Sequence, residues 1–201
     1  MSIQNILSIM NEIKLEYCVV DYSKKSGELD IFVRERDLSI FYDVMKKEGF
    51  KITHSSTDEY SFIYRLVPDA FWTNEAGEHI HSACQMSCVS LSNLSKFKLP
   101  LDNVIQESIW KNKRWDQKEE IWRISNEDKT IFILSRCVFN QKEFDENSIM
   151  ELNKFSIDWS EEKFLEKMEG VFFKFTSSLV RLIKEQRFDE IVYKHRIFCD
   201  Y

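Results

Sequence analysis

Glycine and proline are scarce in this chain of 201 residues, which has only four of the first and two of the second. A P-loop or a dinucleotide fingerprint needs several glycines in one short segment, so that backbone can approach phosphate closely. No segment here supplies them, and neither kind of nucleotide site can be built. Long hydrophobic runs are missing too. No stretch approaches the roughly 18 to 20 apolar residues of a membrane span, and Met1-Ser2-Ile3-Gln4-Asn5 lacks the basic and then apolar build of a secretory signal. Nor is there an excess of positive charge: 28 Lys and Arg against 34 Asp and Glu leave a formal net charge of −6. General nucleic-acid binders carry a net basic footprint, so that class is excluded. The five cysteines, Cys18, Cys84, Cys88, Cys137 and Cys199, are odd in number and mostly sit in apolar runs. They read as reduced thiols, and the expectation is a cytoplasmic protein without membrane contact.

Aromatic and apolar residues are plentiful. A hydrophobic content of 43%, with 16 Phe, 7 Tyr and 5 Trp, suits one sizeable core or two small ones. Residues 2–15 carry apolar side chains at near-helical spacing behind Ser2, a good N-cap. Residues 16–22 read as a strand, 23–27 as a turn, and Asp37 opens a helix that ends at Gly49, where a left-handed C-cap belongs. Residues 50–53 and 59–67 read as strands, 68–77 as a loop, and 78–91 as one long strand.

The stretch Gly27-Glu28-Leu29-Asp30-Ile31-Phe32-Val33 is the most informative. Side chains alternate along a strand, so Leu29, Ile31 and Val33 can face a core while Glu28 and Asp30 project together from the other face. Two neighbouring carboxylates make half a metal site, and Mg²⁺ is typically held by one or two carboxylates completed by waters and substrate phosphates.

Together with the helix that opens at Asp37-Leu38 and closes on Glu48-Gly49-Phe50, this strand resembles the nucleotidyltransferase superfamily. Within it, the likeness is to a small bacterial branch with a "DxDhhV" strand, a helix and then "GF". It covers roughly residues 15–95. The resemblance implies Mg²⁺ held by Glu28 and Asp30, and transfer of a nucleoside monophosphate from an NTP to a hydroxyl on a small molecule or protein. The family usually has a Gly-Ser turn some ten residues before the acid pair; this chain has Val20-Asp21-Tyr22-Ser23-Lys24-Lys25-Ser26-Gly27. A third carboxylate usually comes from a neighbouring strand, and here that strand carries His79-Ile80-His81. Glu78 or His81 would then complete the metal set, or His81 would act as a base near neutral pH.

Several other residues carry chemistry. His79 and His81 share a strand face and would be either site residues or half-exposed strand histidines. With Cys84 and Cys88 they have the composition of a zinc set. A regular strand points the two pairs to opposite faces, however, whereas tetrahedral zinc needs its ligands to converge. Phe71 and Trp72 either stack on a base or anchor their loop. Arg65 and the basic cluster Lys111-Asn112-Lys113-Arg114, flanked by Trp110 and Trp115, are candidate phosphate contacts through Arg65, Lys111 and Lys113.

A polar, Ser-rich connector at 92–98 marks a boundary between residues 1–98 and 99–201. Beyond it come helices near 102–110, 126–139, 146–155 and 160–187, with a short strand at 120–124. The last helix carries an apolar stripe of Phe164, Met168, Val171, Phe172, Phe175, Leu179, Leu182 and Ile183, which would either form a core or pair with a second copy of the chain. The expected fold is α+β: a mixed, nucleotidyltransferase-like sheet in the N-terminal half and a helical C-terminal half. Two other functions stay open: a non-catalytic binding or assembly module on the same fold, and a metal-dependent hydrolase using His79 and His81.

Overall fold

The computed structural model describes residues 2–55, 69–89 and 98–199. The chain forms two compact units, one made of residues 1–85 with 109–125 and the other of 86–108 with 126–201. The fold is α+β, with one mixed sheet in the first unit and helices dominating the second.

In the first unit, α1 (Ile3–Glu12) is capped by Ser2, whose hydroxyl accepts from Asn5 N–H at 3.4 Å. Its buried residues Ile3, Ile6, Leu7 and Met10 recur at three- and four-residue steps and form a single apolar stripe. The strands are β1 (Tyr17–Ser23), β2 (Glu28–Val33), β3 (Lys51–Ser55), β4 (Ala70–Thr73) and β5 (His79–Ala83). Helix α2 (Leu38–Lys47) lies between β2 and β3 in the chain and ends at Gly49, whose φ of +79° suits a residue without Cβ. Asp37 does not cap α2 as its position suggests. Its Oδ2 instead accepts from Glu16 N–H at 3.0 Å, tying the entrance of β1 to the exit of β2.

The expected loop at 68–77 contains β4, paired antiparallel with both β3 and β5. Burial alternates along it, Ala70 and Trp72 inward and Phe71 outward, which is the two-residue period of a strand. The expected single strand at 78–91 is two strands in different sheets. β5 ends at Ala83, and β6 (Ser87–Val89) pairs with β7 (Lys98–Pro100) in the second unit. The expected strand at 59–67, with Arg65, lies outside the described residues.

Further along, β8 (Arg114–Asp116) and β9 (Ile121–Arg123) return to the large sheet, β9 lying parallel to β1 with Ile124 N–H bonded to Val19 C=O at 3.0 Å. The sheet order is β3-β4-β5-β2-β1-β9-β8. One sheet face packs Val19, Leu29, Ile31, Val33, Trp72 and Ile80 with the apolar sides of α1 and α2, Phe41 and Met45 among them. Most of these side chains are under 3% exposed, and burying each contributes roughly 1.5–3 kcal/mol.

The second unit contains α3 (Asn103–Asn112, shared between the units), α4 (Asn126–Ser135) running into a π-helical turn at Arg136–Gln141, and α5 (Glu146–Lys154). Asp102 Oδ1 accepts from Val104 N–H at 2.8 Å at the start of α3, as its spacing suggests. The long helix expected at 160–187 is broken into α6 (Glu162–Phe172), a 3₁₀ turn at Phe173–Phe175 and α7 (Thr176–Lys184), followed by α8 (Phe188–Cys199). The break falls at Phe173, which takes φ +51° and ψ −138°, a backbone with which an α-helix cannot continue. All eight stripe residues stay buried despite the break, so the stripe is spent in packing. No described helix is long and apolar enough to cross a membrane.

Candidate active site on the polar sheet face

The turn between β1 and β2 fixes where the acid pair stands. Gly27 N–H donates to Ser23 C=O at 2.9 Å, its own C=O accepts from His79 N–H at 2.8 Å, and its φ is +68°. A Cβ at Gly27 would sit 3.3 Å from Glu78 Cγ, so glycine lets β5 approach closely. β5 then runs parallel to β2 in a register that sets Glu28 beside His79 and Asp30 beside His81. The strand period points all four side chains to the face opposite the apolar core.

A fifth side chain joins them through an irregularity. Counting from Val19, which faces the core, Asp21 should also point inward. The β1–β2 register shifts between Val19 and Asp21, leaving Val20 as an extra residue and pairing Asp21 with Asp30. Asp21 thereby reaches the polar face. Sequence reasoning placed Asp21 only in the segment that replaces the Gly-Ser turn and did not single it out as a site residue. The available signal was the aspartate itself, at a core-parity position in an otherwise apolar strand.

The resulting cavity has a volume of about 450 Å³. It is lined by Asp21, Ser23, Glu28, Leu29, Asp30, Thr53, Phe71, Trp72, His79, Ile80 and His81. Cross-strand register sets part of the lining in a row, from Phe71 through His81 to Asp30 and Asp21, and His54 on β3 continues that row beyond Phe71. Rings occupy one end and carboxylates the other.

His81 is the electrostatic centre. Its Nδ1 lies 3.1 Å from Asp30 Oδ1 and its Nε2 3.6 Å from Asp69 Oδ2, so both ring nitrogens face carboxylates. Burial alone would lower its pKa. The Asp30 and Asp69 carboxylates outweigh burial and raise it from 6.5 to about 9. The imidazole is therefore protonated at neutral pH, which suits holding Asp30 in place and does not suit taking a proton from a hydroxyl. Phe71 stacks on the same ring at 4.5 Å and 17°. Glu28 accepts from Ser26 Oγ–H at 2.8 Å and is otherwise open to solvent.

Glu78 does not line the cavity. Its Oε1 accepts from Ile3 N–H at 3.2 Å and its Oε2 from Asn74 Nδ2 at 2.7 Å, so it closes the 74–78 turn and satisfies a free donor at the start of α1. Lys113 is also engaged elsewhere. Its ammonium lies over Trp122 at 5.0 Å and Trp110 at 5.8 Å, 3.8 Å from Glu16 Oε1. Lys111 is exposed at the end of α3 and does not line the cavity either. Cys84 is buried, which pushes its thiol up to about 12, while the two histidines line the cavity. Among the described residues, no three His, Cys, Asp or Glu side chains converge as a metal site.

The donor chemistry nevertheless suits Mg²⁺ as a half-site. Glu28 and Asp30 are hard oxygen donors on one face, Asp30 with 43% of its side chain exposed, and a nucleotide's phosphates can complete such a set.

No family model matches the chain, and no curated protein matches it. Among solved structures, the chain is similar to the lincosamide antibiotic adenylyltransferase LnuA in its lincomycin-bound form. The TM-score is 0.47 and the identity 12%, over 74% of this chain and 90% of that one.

Proposed function

We propose that the polar sheet face is a nucleotide site, and that the protein moves a nucleoside monophosphate from an NTP to a hydroxyl acceptor. The observation that carries this is the pair Glu28 and Asp30, projecting side by side into a cavity that Asp21 enters from the adjacent strand. Three carboxylates repel a triphosphate unless a cation lies between them, so the reading requires binding that depends on divalent metal. Glu28 and Asp30 are the residues that would hold Mg²⁺, which when bound would polarise the phosphate under attack. His81 has a positioning role: it holds Asp30 Oδ1 and supplies fixed positive charge among the acids. Arg65 remains a proposed phosphate contact.

A second reading, a binding module without catalysis, draws support from the Asp30–His81 bond, which already occupies one oxygen of the acid pair. The two readings separate in a thermal-shift series with ATP, GTP, CTP and UTP, with and without MgCl₂, on the unaltered protein and on Asp30→Ala. The transferase reading expects stabilisation that needs nucleotide and Mg²⁺ together and disappears in Asp30→Ala. At a concentration 100 times Kd the gain is about 2.7 kcal/mol. Indifference to every nucleotide would overturn it, and stabilisation that ignores Mg²⁺ would favour the binding module. The hydrolase reading finds no support in His81, because both of its ring nitrogens are turned toward carboxylates.

A further inference from the structure

Phe71 is unusual among the aromatic residues near the cavity. Its neighbour Trp72 is 1% exposed and donates from Nε1 to Ser82 Oγ at 3.0 Å, so it belongs to the core. Phe71, one residue earlier on the same strand, points the other way, is 39% exposed and lines the cavity. The ring is nonetheless held firmly: the His81 ring lies stacked on it at 4.5 Å, and the His54 ring lies at 5.9 Å and 36°. The part of the ring that these neighbours leave uncovered borders the cavity.

We propose that Phe71 is the stacking platform for the nucleobase, which deepens the nucleotide reading above and rests on it. Position on the sheet identifies the occupant. β4 lies two strands from β2, roughly 10 Å at the usual strand spacing. The ribose and first phosphate of an extended nucleotide bridge a gap of that order. A base on Phe71 therefore puts the phosphates over Glu28 and Asp30, and the row across the sheet reads base, sugar and phosphate in sequence. The cavity's volume of about 450 Å³ falls in the range of sites that enclose small ligands. Stacking makes little use of base-edge hydrogen bonds, so the platform favours the larger purine surface over the pyrimidine one and discriminates weakly between ATP and GTP.

The test measures Kd in MgCl₂ by calorimetry for the tightest-binding of the four NTPs and for inorganic tripolyphosphate, on the unaltered protein, Phe71→Leu and Phe71→Tyr. Because Phe71 is outside the core, both variants are expected to keep the thermal midpoint of the parent without ligand. Phe71→Leu should raise the Kd of the NTP about tenfold, within the range known for loss of base stacking, and leave that of tripolyphosphate unchanged. Phe71→Tyr should bind both probes like the parent. An NTP affinity that Phe71→Leu leaves unchanged, or an equal loss for both probes, overturns the platform while leaving the nucleotide site intact. Failure of the unaltered protein to bind either probe overturns the nucleotide reading itself.

Discussion

Strands β2, β4 and β5 present two faces of opposite character, although each strand is only four to six residues long. On one face Leu29, Ile31, Trp72 and Ile80 are nearly inaccessible and pack with α1 and α2. On the other, Glu28, Asp30, Phe71, His79 and His81 border an open cavity. The same backbone hydrogen bonds hold both sets, so the difference rests on side chains alone. Stability is concentrated on the first face and chemistry on the second, and substitutions at adjacent positions should separate the two.

The largest effect should come from the core face. Trp72→Ala removes a fully buried indole and leaves Ser82 Oγ without its donor, and it is expected to cost about 3–5 kcal/mol. Urea denaturation measures this directly. A loss below about 1 kcal/mol would mean that this face does not anchor the sheet.

A smaller effect tests the charge balance of the polar face through pH. The pKa of His81 in the folded chain, about 9, lies above its ordinary 6.5. Its proton therefore stabilises the fold fully below about pH 6.5, and that contribution is lost as pH rises through about 9. Solvent screening of a ring that is 32% exposed reduces the gain to about 2 kcal/mol. Unfolding free energies at pH 6 and pH 10 should differ by about this much more in the parent than in His81→Gln. Equal pH dependence in the two proteins would show that Asp30 and Asp69 do not hold the imidazolium.

The smallest effect on stability belongs to Glu28, which is exposed and bonded only to Ser26 among the contacts described for it. Glu28→Gln should change unfolding free energy by less than about 0.5 kcal/mol while weakening any shift produced by nucleotide with Mg²⁺. A destabilisation as large as that of Trp72→Ala would erase the contrast between the faces.

The candidate site was partly legible in the sequence. Alternation along residues 28–33 shows Glu28 and Asp30 sharing a face, and the same alternation along 79–83 pairs His79 with His81. The roles expected of Glu78, Lys111 and Lys113 depended on direction and partners, which spacing does not carry. Glu78 is turned toward the α1 N-terminus, Lys113 toward Glu16 and two tryptophans, and Lys111 toward solvent. Phe71 was read as part of a loop because four residues make a weak periodic signal, and pairing on both sides is what establishes β4.

The sequence by itself determined several of the elements, because local periodicity and capping act within a few residues. Ser2 starts α1, Gly49 ends α2, Asp102 starts α3, and the apolar stripe from Phe164 to Ile183 marks buried helix. Tertiary structure alone decided which elements meet. Residues 114–123 rejoin the sheet beyond a Ser-rich connector, Val20 bulges and turns Asp21 to the polar face, and Asp69 comes within ion-pair reach of His81. Each of these depends on how one strand is set in register against another. Register is set by the summed packing of a whole sheet face, a quantity that no single segment contains.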